Sequence, residues 1–180
     1  MPGRSALVAA AALAALGLLS ATGNGASSQT TVTPATAPAA ATLARGRYLV
    51  AFGGCNDCHT PGWREGDGTV PEARWLTGSA VGFRGAWGTS YATNVRLDFT
   101  VMSEDAWLNA VRTRGGHPPM VWHDLRALSD ADVRAIYAFV RHLGPAGVPA
   151  PDAQPPWRTP TTPYVDLRPQ TPSAGTATKP

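Results

Sequence analysis

The chain of 180 residues has little from which most active sites are built. Lysine is nearly absent. The positive charge is almost all arginine, and it is scattered rather than clustered. With a formal net charge of +3 and no basic block, the sequence argues against nucleic acid as a partner. No Ser/His/Asp arrangement, no paired acids and no phosphate-binding glycine loop can be found, so nothing in it supports independent catalysis. Cysteine is limited to Cys55 and Cys58. They are not preceded by the strand–helix–strand pattern of a thioredoxin-like redox pair, and they lack the second pair of ligands of a usual zinc site.

What the sequence does contain is Cys55-Asn56-Asp57-Cys58-His59. C-x-x-C-H reads as a c-type haem attachment motif. Two thiols add across the two vinyl groups of haem and leave thioether bonds. Two intervening residues let one helical turn align both sulfurs with one edge of the ring, and the next residue then lies under the iron, so that His59 can be the proximal ligand. A disulfide between the two cysteines, or a zinc site, is the competing reading.

Residues 1–26 read as a secretory signal peptide, with Arg4 in the n-region and an uncharged small-apolar run from Ala6 to Leu19. The run is short for a membrane span of about 20 residues, although an uncleaved N-terminal tether is the alternative. Residues 27–41 are mostly Ser, Thr, Ala and Pro, without charge or a large apolar residue, the composition of a disordered linker. One domain is expected over residues 42–147, and a proline-rich extended tail over residues 148–180. Within that tail Trp157, Tyr164, Val165 and Leu167 are too apolar for a solvated chain, so Trp157–Pro169 is expected to lie along a protein surface, its own or a partner's.

Three helices are expected in the domain. Leu43–Phe52 places Leu43, Gly46 and Val50 on one face, widened by Tyr48, Leu49 and Phe52; Gly46 suits a close helix crossing. Ser103–Arg114 starts at a Ser N-cap and buries Trp107, Ala110 and Val111. Ser129–Leu143 starts with a capping-box-like Ser129-Asp130-Ala131-Asp132 and buries Val133, Ile136, Tyr137, Val140 and Leu143. The first and third of these are the natural pair to cross. Residues 60–95 are rich in Gly and Trp and read as loops. Arg74, Arg84, Arg96 and the indole N–H groups there are candidates to meet haem propionates.

The second chemical feature is His117-Pro118-Pro119-Met120, with Met120 placed 61 residues after His59. A haem iron held by His on one side can take Met on the other, which raises its reduction potential. Two prolines would stiffen the loop that aims the sulfur. Met102, His117 and His123 are the competing ligands, and a Met filling a core gap is the structural alternative.

Several stretches in order then resemble a known family: Arg45-Gly46-Arg47-Tyr48-Leu49 before Cys55-x-x-Cys58-His59-Thr60, Trp87-Gly88-Thr89-x-Tyr91-Ala92-x-Asn94, Pro119-Met120, and Ser129 to Tyr137. Together they resemble a class I cytochrome c, and more narrowly the cytochrome c modules that serve periplasmic alcohol and sugar-acid dehydrogenases. The resemblance spans residues 42–151. It implies an all-α fold around one covalent haem c, with Cys55 and Cys58 as thioether anchors and His59 and Met120 as axial ligands. It also implies a periplasmic electron carrier, not an enzyme, that docks redox partners: a dehydrogenase as donor and an oxidase or another cytochrome as acceptor. Such dehydrogenase subunits usually carry several haem modules, whereas this sequence has one motif. The spacing from Gly46 to Cys55 also differs from the commonest one. The competing function is a haem enzyme, or a gas or peroxide sensor, with a labile sixth ligand.

Overall fold

The computed structural model describes residues 38–116 and 118–171. The expected signal peptide, residues 27–37 of the expected linker, His117 and residues 172–180 lie outside the described residues. The first helix, α1 (Ala40–Phe52), begins inside the stretch expected to be linker. It buries Gly46, Leu49 and Val50. Tyr48 and Phe52 do not widen that face as expected; both are exposed, and their rings stack on each other at 5.5 Å.

A single helical turn, α2 (Cys55–His59), follows after Gly54, whose φ of 69° allows the sharp break between the two helices. Beyond it, the region expected to be loops contains a 3₁₀ turn, Glu72–Arg74, and a hairpin of β1 (Gly82–Gly85) with β2 (Gly88–Tyr91). Four helices come next: α3 (Val95–Val101), α4 (Glu104–Thr113), α5 (Trp122–Ala127) and α6 (Asp130–Leu143). The expected Ser caps are in place, since the Ser103 hydroxyl accepts from the Ala106 amide and the Ser129 hydroxyl from the Asp132 amide. Sequence reading missed α3 and α5. Each is under two full turns, too short for a periodic stripe to emerge.

The core forms where α1 and α6 cross. Gly46 allows the close approach there, because a Cβ on it would stand 2.0 Å from the Ala135 carbonyl oxygen and 2.7 Å from Phe139 Cβ. Arg45 Nε donates to Asp132 Oδ1 across the same crossing at 2.7 Å. Asp132 therefore faces α1 instead of closing a capping box. Val133, Ala135, Ile136, Phe139 and Val140 of α6 are buried, and Leu49, Val50, Trp75, Leu76, Phe99, Trp107 and Val111 complete the core. Phe139 is among the largest of these and was not expected. Tyr137 is only half-buried; its hydroxyl donates to the Met102 carbonyl at 2.8 Å.

The proline-rich tail belongs to the same compact unit as the helices. Its strand β3 (Tyr164–Asp166) pairs in parallel with β1, giving the order β2-β1-β3. Gln154 forms an antiparallel bridge to Thr89 on the far edge of β2. The tail thus lies on its own protein's surface and grips both edges of the hairpin. The architecture is consequently not purely all-α as expected. Helices dominate, but the hairpin and one strand of the tail form a small sheet; the prolines around the tail strand hid it, because proline removes the ladder donor on which strand patterns depend.

Candidate functional site

Cys55 and Cys58 stand on the one turn of α2, and their thiols are free rather than joined. Among the described residues no group of three or more His, Cys, Asp or Glu side chains could hold a metal ion, so the donor set of a zinc site is not assembled. Cys55 packs against the core, and burial pushes its thiol up to about 11. Burial also raises the Cys58 thiol, opposed by the Arg64 charge. Both sulfurs are therefore protonated at neutral pH.

His59 ends the same turn. Its Nδ1 lies 2.8 Å from the carbonyl oxygen of Thr93. Burial lowers the imidazole pKa, with the Thr93 contact opposing it. A neutral ring beside a carbonyl must place its proton on Nδ1, which leaves the Nε2 lone pair for another partner. The main chain of His59 is held too: its carbonyl accepts from the Gly78 amide at 2.8 Å. Thr60 extends this support. Its hydroxyl donates to Asn56 Oδ1 at 2.7 Å and accepts from the Leu76 amide at 2.8 Å. The turn carrying the motif is thus pinned at its base, and the imidazole is held against the Thr93 carbonyl.

Met120 lies on the loop between α4 and α5. It is 37% exposed and has no place in the core, which argues against a gap-filling role. The competitors separate. Met102 packs against the core. His123 is exposed, with its Nε2 3.1 Å from Asp124 Oδ1. His117 lies outside the described residues. The Met120 loop is attached to the hairpin by the Ser90 hydroxyl, which donates to the Pro118 carbonyl at 2.7 Å. Ser90 and Thr93 are three residues apart, about 10 Å of extended chain. One short strut therefore holds both the His59 ring and the Met120 loop. Neither bond was legible in the sequence, since each acceptor is a main-chain carbonyl that any residue type would supply.

The three arginines considered for propionates do other work in two cases. The Arg96 guanidinium is buried, donating to the carbonyls of Ala73, at 2.7 Å, and of Gly144 and Leu143 at the end of α6. Arg84 donates to the carbonyls of Arg158 and Pro156 and so holds the tail. Arg74 is exposed. Among the indoles, Trp75 donates to the Val70 carbonyl and Trp107 to that of Val133. The Trp87 Nε1 is buried and has no partner among the described residues. Such a donor costs roughly 1–3 kcal/mol if left unpaired, and a carboxylate group would satisfy it. Free thiols on one turn, an imidazole with Nε2 available, an exposed Met and an orphaned indole donor fit the chemistry of a covalently held haem.

A cleft of about 360 Å³ between α3 and Pro149–Ala153 touches Thr93 and Asn94 but none of the two cysteines, His59 or Met120. No described helix is long and apolar enough to cross a membrane.

Comparison with known proteins yields a partial likeness. No family model matches the chain, and no solved structure matches it. Over 129 residues, 65% of this chain, it is 30% identical to the gluconate 2-dehydrogenase cytochrome c subunit of Pantoea cypripedii. The aligned stretch spans only 27% of that relative's length. The likeness is thus to a cytochrome c, and to part of one belonging to a dehydrogenase.

Proposed function

We propose that the chain is a monohaem c-type cytochrome of the class I type. More particularly, it is an electron carrier of the periplasm that takes electrons from a dehydrogenase and passes them to a respiratory acceptor, an oxidase or another cytochrome. The single observation that carries this reading is the α2 turn, with two free thiols and an imidazole whose Nδ1 is tied to the Thr93 carbonyl.

In this reading Cys55 and Cys58 hold haem c through thioethers, while His59 and Met120 hold its iron. The bound group supplies one reversible single-electron redox centre. The protein's own residues do the rest. The Thr93 carbonyl fixes the imidazole and the Gly78 amide fixes the His59 main chain, so that little rearranges when the charge at the site changes. Trp87 Nε1 is the donor suited to a propionate. With His59 and Met120 both holding the iron, substrates would be kept from it, so the role would reduce to potential and docking. The dehydrogenase as donor rests on the name of the partial relative.

Export of the full chain in cells that attach haem tests the reading. Mass spectrometry is expected to find one haem that survives denaturation, and Cys55→Ala or Cys58→Ala to lower its yield sharply. Reduced protein is expected to show sharp α and β bands without change under CO. A spectrum that shifts with CO would instead favour an enzyme or sensor, and a colourless protein would sink the haem assignment.

A further inference from the structure

Ser90 occupies a particular place in the chain. Its two neighbours in β2 are each bonded to the proline-rich tail. The Thr89 amide and carbonyl both pair with Gln154 at 2.8 Å, and the Tyr91 hydroxyl lies 2.8 Å from the Thr162 hydroxyl. Gly88, one residue earlier, meets the tail so closely that a Cβ would stand 2.0 Å from the Gln154 carbonyl oxygen. Ser90 itself reaches the other way. Its hydroxyl lies 2.7 Å from the Pro118 carbonyl and 3.4 Å from that of Phe83, so its one proton goes to Pro118. Among the described residues no other hydrogen bond reaches residues 118–120.

We infer that Ser90 is a positioning residue for the Met120 loop, and that the tail acts through Ser90 as a strap that keeps the loop closed. The inference rests on the reading of Met120 as an axial ligand. A loop held by one neutral hydrogen bond opens more often when that bond is lost, and the strap matters because it removes the freedom of the donor's strand. The tail then has a purpose that its composition alone does not suggest: it acts on the distal side of the site from 30 or more residues away in sequence.

The test uses the exported, haem-loaded full chain in its oxidised form, with imidazole as an added competitor for the sixth position, followed optically. Ser90→Ala is expected to tighten imidazole binding by about tenfold, the worth of one such hydrogen bond. Ser90→Thr, which keeps the hydroxyl, is expected to restore the wild-type value. Tyr91→Phe, which loses only the contact to Thr162, is expected to shift it in the same direction by about two- to threefold. The near-infrared sulfur-to-iron band of the imidazole-free protein should persist in all three. Equal imidazole affinity in wild type and Ser90→Ala, or no rescue by Ser90→Thr, would overturn the role of Ser90. An unaltered Tyr91→Phe would overturn the strap. If the wild type lacks a near-infrared band that Met120→Ala removes, the axial reading falls and takes this inference with it; if that band is present, the two failures are distinguished.

Discussion

The Nδ1 of His59 lies 2.8 Å from the carbonyl oxygen of Thr93, a residue 34 positions further along the chain. That bond decides which face of the ring is available. With Nδ1 occupied as donor, only Nε2 can bind elsewhere, and the ring cannot turn over without losing its partner. Three residues before Thr93, Ser90 performs the corresponding service for the Met120 loop through Pro118. The two sides of the candidate site are thereby referred to one piece of chain.

Replacing Met120, the proposed second ligand of the iron, is the direct test of that role. Met120→Ala in the haem-loaded protein is expected to abolish the near-infrared band and lower the reduction potential, by a few tenths of a volt out of the range of about 0.8 V open to haem proteins. Redox titration with optical detection measures it. Unchanged band and potential would transfer the ligand role to another residue.

The α1–α6 crossing has no room for a methyl group. Gly46→Ala would force its Cβ to within 2.0 Å of the Ala135 carbonyl oxygen, so the helices must separate. A loss of about 3 kcal/mol is expected from overpacking, read as a lower denaturation midpoint in guanidinium. The gain in helix propensity from Ala, about 1 kcal/mol, is the smaller effect.

Arg96 distinguishes a scaffold arginine from a propionate ligand. Arg96→Leu leaves three carbonyls without their donor, those of Ala73, Leu143 and Gly144. Stability is expected to fall by roughly 3 kcal/mol. The potential of the surviving folded protein should stay near that of the wild type. A large shift in potential with little change in stability would mean the reverse role.

The Arg45–Asp132 pair gives the crossing an acid limit. The Arg45 guanidinium holds the Asp132 carboxyl below its ordinary value of 3.8. A carboxylate with a depressed folded-state pKa contributes its stabilisation fully above the unfolded value, and loses it as pH falls through the folded one. Unfolding midpoints measured from pH 5 down to pH 2 should therefore fall more steeply in the wild type than in Asp132→Asn. The difference should shrink in high salt, because both side chains are partly exposed.

Much of this protein could be read before any coordinates. Cys55-x-x-Cys58-His59 is a local pattern whose spacing alone puts two thiols and an imidazole on one turn. The caps at Ser103 and Ser129, the glycine at the α1–α6 crossing and the apolar stripe of α6 are likewise matters of spacing along one helix. What the tertiary structure alone decided lies between elements. The Thr93 and Pro118 carbonyls have no side-chain signature, Arg96 reads as a candidate for the propionates until its three carbonyls are in place, and the tail became a strand only when β1 offered it an edge. Local sequence sets what a residue can do chemically, because that follows from side-chain type and helical period. Which main-chain group meets it is set by the path of the whole chain, since every residue carries the same carbonyl.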